Sequence, residues 1–452
     1  MTDQGLRALT DVCVHCGFCL PACPTYQLWG EEMDSPRGRI HLVQQMLEGA
    51  PVTPTIAGHL DACLGCLACV PACPSGVRYD RIVTQARVQV EDSGVRTLGQ
   101  KALRAGIFAL FPHPYRLRAL RGPLALADRI GLTSPRVVRR LPRPLRAMAE
   151  LAPPVQPRAR LPRRLAPRPF GGGVSRPARV VGLLTGCVQS AFFSHVTEAT
   201  ARVLTLAGCE VVIPRGQGCC GALAHHSGMR RQAVRRARRT IATFERAGVE
   251  AVVTDVAGCG SAMKEYADLL ADDPQWASRA GALAAKVRDV TELLVELGGF
   301  GPGRLPQPGR PVPLTVAYHD ACHLSNGQGV RSQPRELLRG IPGLRLVTAA
   351  GADVCCGSAG IYNLVQPDTA AQLGARKAAA LRATGADVIV TGNPGCALQI
   401  AAAMRRDGGR DVPVLHTVEL LYAALDPTVG DRLLPEHRIQ GRHGQGLRAT
   451  PQ

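Results

Sequence analysis

The chain has 452 residues, 46% of them hydrophobic, which provides for two to four domains with substantial cores and excludes a disordered protein. Its 17 cysteines are an odd number bunched in short motifs, which argues for metal ligation over a disulfide framework. The net charge is +19 but aromatic residues are only 4%, too few to stack on nucleic acid bases.

The opening segment, MTDQGLRALTD, lacks the apolar stretch of a secretory leader, so the expected compartment is the cytoplasm, where thiols stay reduced. Two strings follow, CVHCGFCLPACP at 13–24 and CLGCLACVPACP at 63–74, each reading C-x2-C-x2-C-x3-C-P. Three cysteines at spacing three wrap one side of a cubane, and the fourth is directed to a second cluster. This predicts one [4Fe–4S] centre on Cys13, Cys16, Cys19 and Cys73, and another on Cys63, Cys66, Cys69 and Cys23. Pro24 and Pro74 turn the chain away after the last ligand. Zinc sites also use C-x2-C pairs, but not two full four-cysteine runs each ending in proline. His15, between ligands, reads as an exposed or outer residue.

Between the two strings, DSPRGRIHLVQQMLEG predicts a helix with Ser35 as N-cap, Pro36 in the first turn and Gly49 as terminator. Ile40, Val43, Met46 and Leu47 fall on one face of it. YDRIVTQARVQVEDSG predicts another helix. Residues 1–100 thus form a helical two-cluster ferredoxin-type domain.

Residues 101–177 form a basic connector. Between 101 and 178 there are 17 Lys/Arg against two acids, Asp128 and Glu150. The first part, through Leu132, is expected to be helical and the rest, rich in proline, to be linker. A solvated semi-rigid linker, docking on a partner or anionic membrane face, and nucleic-acid binding are the three readings, in that order. No apolar run reaches the ~18–20 residues of a spanning helix.

From residue 178 the chain repeats itself. ARVVGLLTGC to Cys187 matches LTVAYHDAC to Cys322, GCCG matches VCCG, and AVVTDVAGC to Cys259 matches DVIVTGNPGC to Cys396. The offsets are 135, 136 and 137 residues, so the copies keep register. Each alternates short β-branched runs (Val180–Leu184, Val211–Ile213 and Val252–Thr254; Leu314–Ala317, Leu344–Val347 and Val388–Thr391) with helical stretches, which predicts two parallel α/β units. The first spans 178–305 and the second 312–430, with a tail at 431–452. The fold class is therefore α+β multidomain: a helical two-cluster module followed by two tandem α/β, Rossmann-like units. In such units chemistry collects at the carboxyl ends of strands. Cys209, in LTLAGCEVVIP, has no counterpart and reads as a core thiol.

Two α/β units with Cys…Cys-Cys-Gly…Cys resemble the CCG cysteine-rich domain of heterodisulfide reductase-type proteins. The resemblance implies a metal or Fe–S centre on Cys187, Cys219, Cys220 and Cys259, and on Cys322, Cys355, Cys356 and Cys396, with the glycine admitting a close backbone approach to it. The alternative is eight thiols packed at a domain interface. The fuller family pattern ends in C-x2-C, and here Val256 and Asn393 stand where the extra cysteine would be, which argues against heterodisulfide chemistry. His319 and His323 flank Cys322; either is a candidate ligand or proton donor, with orientation of the loop preferred.

The whole order of motifs resembles the glycolate oxidase (glycolate dehydrogenase) iron–sulfur subunit, on SPRGRI, CLGCLACVPACPSGV, YHDACHLSNGQGV and CCGSAGIYNLVQP. The resemblance covers about residues 5–425. It implies an electron carrier working beside an FAD subunit that oxidises glycolate to glyoxylate, a second flavoprotein-like subunit, and a membrane acceptor such as quinone at the cytoplasmic face of the inner membrane. The alternatives are the iron–sulfur subunits of glycerol-3-phosphate or lactate dehydrogenases, or a heterodisulfide reductase-like enzyme with catalysis at the CCG site. The residues agree with an accessory role, because hydride removal needs a flavin or nicotinamide. No G-x-G-x-x-G follows a predicted strand; GGFGPG at 298–303 follows a helical stretch and contains Pro302. No nucleic-acid partner is expected, and no catalytic residue is assigned to this chain.

Overall fold

Ser35 starts its helix as its residue type dictates, its hydroxyl accepting from the Gly38 amide at 3.0 Å, and the helix Pro36–Leu47 follows with proline in its first turn. Ile40 and Val43 are buried, and Met46 and Leu47 pack beside them against Leu6, Leu60, Ile82 and Ala86. The helices Asp3–Thr10, Pro24–Trp29, Pro54–Ala62 and Tyr79–Asp92 belong to the same first domain, and the two cysteine strings form loops between helices. The structure is a computed structural model that describes residues 3–138, 140–168, 177–300, 311–406 and 412–426. The expected tail at 431–452 and the second half of GGFGPG lie outside the described residues.

The connector is more ordered than its prolines suggest. Helices run over Leu98–Leu110, Pro114–Ala119, Arg121–Arg129, Pro135–Val138 and Arg143–Glu150, so helix continues well past the part expected to carry it. Each proline of the later helices sits in a first turn, where its missing N–H is no loss. Further on, Arg164–Leu165 forms β1, a strand where linker was expected.

Both repeats are parallel sheets, as their alternation requires. In the first, β2 (Arg179–Leu183), β3 (Cys209–Val212), β4 (Ala251–Thr254) and β5 (Val287–Asp289) pair in the order β3-β2-β4-β5, and β1 adds antiparallel to the β3 edge. In the second, β6 (Thr315–His319), β7 (Arg345–Val347), β8 (Val388–Thr391) and β9 (Val414–His416) repeat that order as β7-β6-β8-β9. Register aligns His319 with Thr391 and Val316 with Val388. Helix Ser194–Leu206 packs on helix Thr417–Leu425, and Val181, Leu183, Leu293, Val316, Leu337 and Leu421 share one buried cluster across the repeats. Each such side chain contributes about 1.5–3 kcal/mol by leaving water. The Ala257 amide donates to the Gly392 carbonyl at 3.1 Å, and His416 Nε2 donates to the Asp255 carbonyl at 2.8 Å. These bonds join the carboxyl end of β4 to those of β8 and β9, where the two cysteine quartets line one cavity.

Candidate iron–sulfur centres

Cys13, Cys16, Cys19 and Cys73 line one small cavity of about 30 Å³, with Pro36, Arg37 and Ile40 on its wall. Spacing assigns these four to the first centre; Cys69, assigned to the second, lines the same cavity. Cys16 is exposed, and so is His15, as expected. The His15 carbonyl accepts from Arg37 Nη1 at 2.8 Å, which fixes the loop. Burial raises the Cys13 pKa, and the neighbouring Cys73 and Cys16 sulfurs add to the rise. A bound cation must displace the thiol protons, so metal loading at this set depends on pH.

Cys23, Cys63, Cys66 and Cys69, the set expected for the second centre, are all buried. Burial works against the Cys63 thiolate, but the Arg39 and Arg87 guanidiniums outweigh it and bring its pKa below the usual thiol value. The Gly65 amide donates to Cys63 Sγ at 3.3 Å and the Tyr79 hydroxyl at 3.6 Å. Arg39 is a residue that spacing arguments miss. Its side chain is 1% exposed, and it donates to Asp34 Oδ1 at 2.9 Å, to Thr25 Oγ1 at 3.1 Å and to the His59 carbonyl at 2.6 Å, with Cys23 Sγ at 4.0 Å. It pins the first cysteine string to the helix that leads into the second.

In the second repeat Cys322, Cys355, Cys356 and Cys396 are buried and line one cavity together. In the first repeat Cys187, Cys219 and Cys220 are buried and Cys259 half-buried, and all four line that same cavity. The glycine after each Cys-Cys pair has a conformational reason of its own. Gly357 has φ +88°, and a Cβ there would lie 2.8 Å from the Ala370 carbonyl of the following helix. Its counterpart Gly221, at φ +95°, donates its amide to Cys219 Sγ at 3.4 Å. The adjacent cysteines therefore share a turn that only glycine can close tightly. Cys209 is fully buried at the start of β3, a core thiol as read, and burial pushes its pKa up to about 12.

The histidines do not orient the loop before Cys322 in the way expected. His319 ends β6, is 1% exposed, and has no hydrogen-bond partner on either ring nitrogen among the described residues. His323 Nδ1 lies 3.9 Å from Cys322 Sγ, and its ring stacks on His226 of the first repeat with centroids 4.9 Å apart.

The sets are joined. Cys66 belongs to one buried cluster with Cys322, Cys355, Leu64 and Tyr362. Asn326 Nδ2 donates to the Cys66 carbonyl at 3.1 Å, and the Tyr362 hydroxyl donates to the Ala62 carbonyl at 3.1 Å. Arg87 Nη1 donates to the His226 carbonyl at 2.8 Å, anchoring the same domain on the first repeat. Both quartets line a single cavity of about 660 Å³. Its roof is the connector, which presents Leu117, Leu120, Leu145, Met148 and Leu151 to it. Helix Pro114–Ala119 packs on the first repeat and helix Arg143–Glu150 on the second, where Arg406 pairs with Glu150.

Eight cysteines in two paired strings and eight more in two quartets, on helical and parallel-sheet scaffolds, define an iron–sulfur protein. The comparisons with known proteins narrow the class. Residues 10–77 match the family model of the 4Fe-4S dicluster domain, 181–264 and 316–401 that of the cysteine-rich domain, and 99–152 that of the linker region of the glycolate oxidase iron-sulfur subunit. A probable glycolate oxidase iron-sulfur subunit of Bacillus subtilis is 40% identical over 421 residues, covering 91% of this chain and 93% of that one. The glycolate oxidase iron-sulfur subunit of Escherichia coli is 36% identical over 435 residues, covering 94% and 95%. Lactate utilization protein A of Bacillus subtilis is 32% identical over 241 residues, 53% of this chain and 98% of that protein. A hypothetical protein from Helicobacter pylori shares the fold, with TM-score 0.52 at 9% identity over 88% of this chain and 75% of the other. The chain belongs to the glycolate oxidase iron–sulfur subunit family, and its first domain carries [4Fe–4S] clusters. The buried sulfurs of Cys23, Cys63, Cys66 and Cys69, with amide and guanidinium donors beside Cys63, fit that cofactor.

Proposed function

We propose that the chain is the electron-carrying subunit of a glycolate oxidase complex, placed between an FAD subunit that oxidises glycolate to glyoxylate and a membrane acceptor such as quinone. The observation that carries this reading is that Cys66 shares one buried cluster with Cys322 and Cys355, which supports a row running from the exposed Cys16 through Cys66 to the second repeat. Cys13, Cys16, Cys19 and Cys73 would hold one [4Fe–4S] cluster, and Cys63, Cys66, Cys69 and Cys23 a second. Cys322, Cys355, Cys356 and Cys396 would hold a third iron–sulfur centre, with Cys187, Cys219, Cys220 and Cys259 as a further candidate set. Such clusters take up and release electrons singly. The residues keep them apart from water, offset thiolate charge with Arg39 and Arg87, and leave access at two ends.

One end is Cys16, ringed by exposed Val12, Val14 and Phe18, the last two 69% and 68% exposed. An apolar collar around an exposed ligand suits a docked flavoprotein, since it excludes water from the contact. We expect the isolated, flavin-free chain not to oxidise glycolate, and the FAD subunit, with any second flavoprotein-like subunit, to restore activity. Changing Val14 and Phe18 together to Asp is expected to slow reduction of the chain by that subunit about tenfold or more with iron content unchanged. Stopped-flow absorbance checks this, and robust dye-linked oxidation by the chain alone sinks the proposal.

The other end is the connector roof. Leu126, Ile130 and Leu132 are exposed there among Arg129 and Arg140, and no helix among the described residues is long and apolar enough to cross a membrane. Leucines and arginines on short helices suit a peripheral contact with the cytoplasmic face of the inner membrane, each cation near an anionic surface contributing about 1 kcal/mol. Of the arginines in this segment, Arg139 lies outside the described residues. Wild-type protein is expected to float with anionic liposomes at low salt and to be released by high salt. The variant with Leu126, Ile130 and Leu132 changed to Ser should stay at the bottom of the gradient. Equal flotation of both proteins contradicts the membrane reading.

A further inference from the structure

We propose that His319 is a metal ligand, its imidazole supplying the fifth donor to the iron–sulfur centre of Cys322, Cys355, Cys356 and Cys396. This rests on the reading that the second repeat holds such a centre.

Three observations carry it. A donor nitrogen of His319 and the sulfurs of Cys356 and Cys396 all lie within 4.8 Å of one another, and all three residues are buried. Donors that bind one metal at 2.0–2.3 Å stand roughly 3.5–4 Å apart, so a small closure brings these into ligand geometry. The imidazole is 1% exposed with no hydrogen-bond partner on either nitrogen among the described residues. A buried neutral imidazole carries one donor and one acceptor, and leaving both unmet is unfavourable unless something takes up the lone pair.

The repeat itself supplies the third observation. The offset of 135 residues places His319 opposite Leu184 of the first repeat, which is 2% exposed in an apolar cluster. The same strand end therefore accepts a leucine, and the fold does not ask for histidine. The second repeat is also one thiolate short of the C-x2-C pattern. Asn393 stands at the missing position, and its Nδ2 donates to Cys396 Sγ at 3.4 Å instead of ligating. His319 approaches the same sulfurs from β6 and makes up the number. Imidazole for thiolate raises the potential of an iron–sulfur centre, as nitrogen ligation does elsewhere.

The test is pulsed EPR on the full chain, purified anaerobically with and without ¹⁵N-histidine and poised at stepped potentials. A strongly coupled nitrogen that changes pattern with the label is expected in wild type. It should vanish in His319→Leu and His319→Cys and persist in His323→Asn. In His319→Cys the centre should keep its iron and titrate at lower potential. The signals of the two clusters in residues 13–73 should be unchanged in all variants, which verifies the fold. A third centre without nitrogen coupling, or a coupling that follows His323, overturns the assignment of His319 alone. Iron at roughly eight per chain with no third centre overturns the reading it rests on as well.

Discussion

Replacing Arg39 with methionine is expected to destabilise the first domain by about 3–5 kcal/mol and to release iron from the set Cys23, Cys63, Cys66 and Cys69. The guanidinium is buried against Asp34, Thr25 and the His59 carbonyl, so methionine fills its volume but leaves the Asp34 carboxylate inside the protein without its main partner. His59 Nδ1, 3.1 Å from Asp34 Oδ1, makes up only part of that loss. The same change removes the cation that lowers the Cys63 pKa, so metal loading should become more dependent on pH. The sign follows from the direction of the shift. A thiolate favoured by Arg39 in the folded chain forms at a pH below its unfolded value, and without Arg39 the pH needed for loading rises. Arg39→Lys keeps charge but not the planar fork, and is expected to fall between the two. Chemical denaturation and iron quantitation against pH measure both effects. Wild-type stability in Arg39→Met would show that the buried fork is dispensable.

Much of this organisation is written in local patterns. The ferredoxin-type strings, the helix after Ser35 and the six β-branched runs are each set by neighbours within a few residues, and the structure places them within one to three residues of where the patterns put them. What the patterns do not carry is set by segments far apart in the chain. Arg39 sits in SPRGRI, which reads as a helix start, and its partners come from residues 23–34 and 59. Arg164–Leu165 lies among prolines and becomes a strand because Val211–Val212 offers an open edge, with the ion pair from Arg164 to Glu210 beside it at 2.7 Å. The single cavity under the connector depends on the meeting of β4 and β8 across the repeats, which no window of sequence reports. His319 was legible only in part. YHDAC suggests a polar loop, whereas β6 runs two residues beyond its β-branched core and buries the ring. A comparison of the two repeats position by position, with leucine against histidine, was the available signal.

Cys66→Ala is expected to reduce glycolate-driven reduction of the membrane acceptor by at least about 100-fold, because even changes beyond the ligands of a metal centre cost 10–100-fold. The choice of residue follows from its position. Cys66 is the sulfur of the first domain that packs against Cys322 and Cys355, and burial, with the Cys322 sulfur next, raises its pKa well above the usual thiol value. An alanine there leaves the Asn326 and Tyr362 hydrogen bonds in place, because they reach backbone carbonyls of Cys66 and Ala62. The domains should therefore stay docked while one sulfur ligand is lost. The set on Cys13, Cys16, Cys19 and Cys73 should keep its EPR signal and still be reduced by the flavoprotein. Cys209→Ala provides the contrast, since that thiol is fully buried but sits in the apolar cluster shared by the two repeats, which holds no other cysteine. It should lower stability by about 1 kcal/mol and change turnover less than about twofold. Turnover, the surviving EPR signal and thermal stability, measured on both variants in the assembled complex, separate loss of the relay from loss of the fold. If Cys66→Ala turns over at the wild-type rate, the row from Cys16 through Cys66 to Cys322 is not the route, and the connection must be sought at Arg87 and the His226 face of the first repeat, where the first domain makes its other contact.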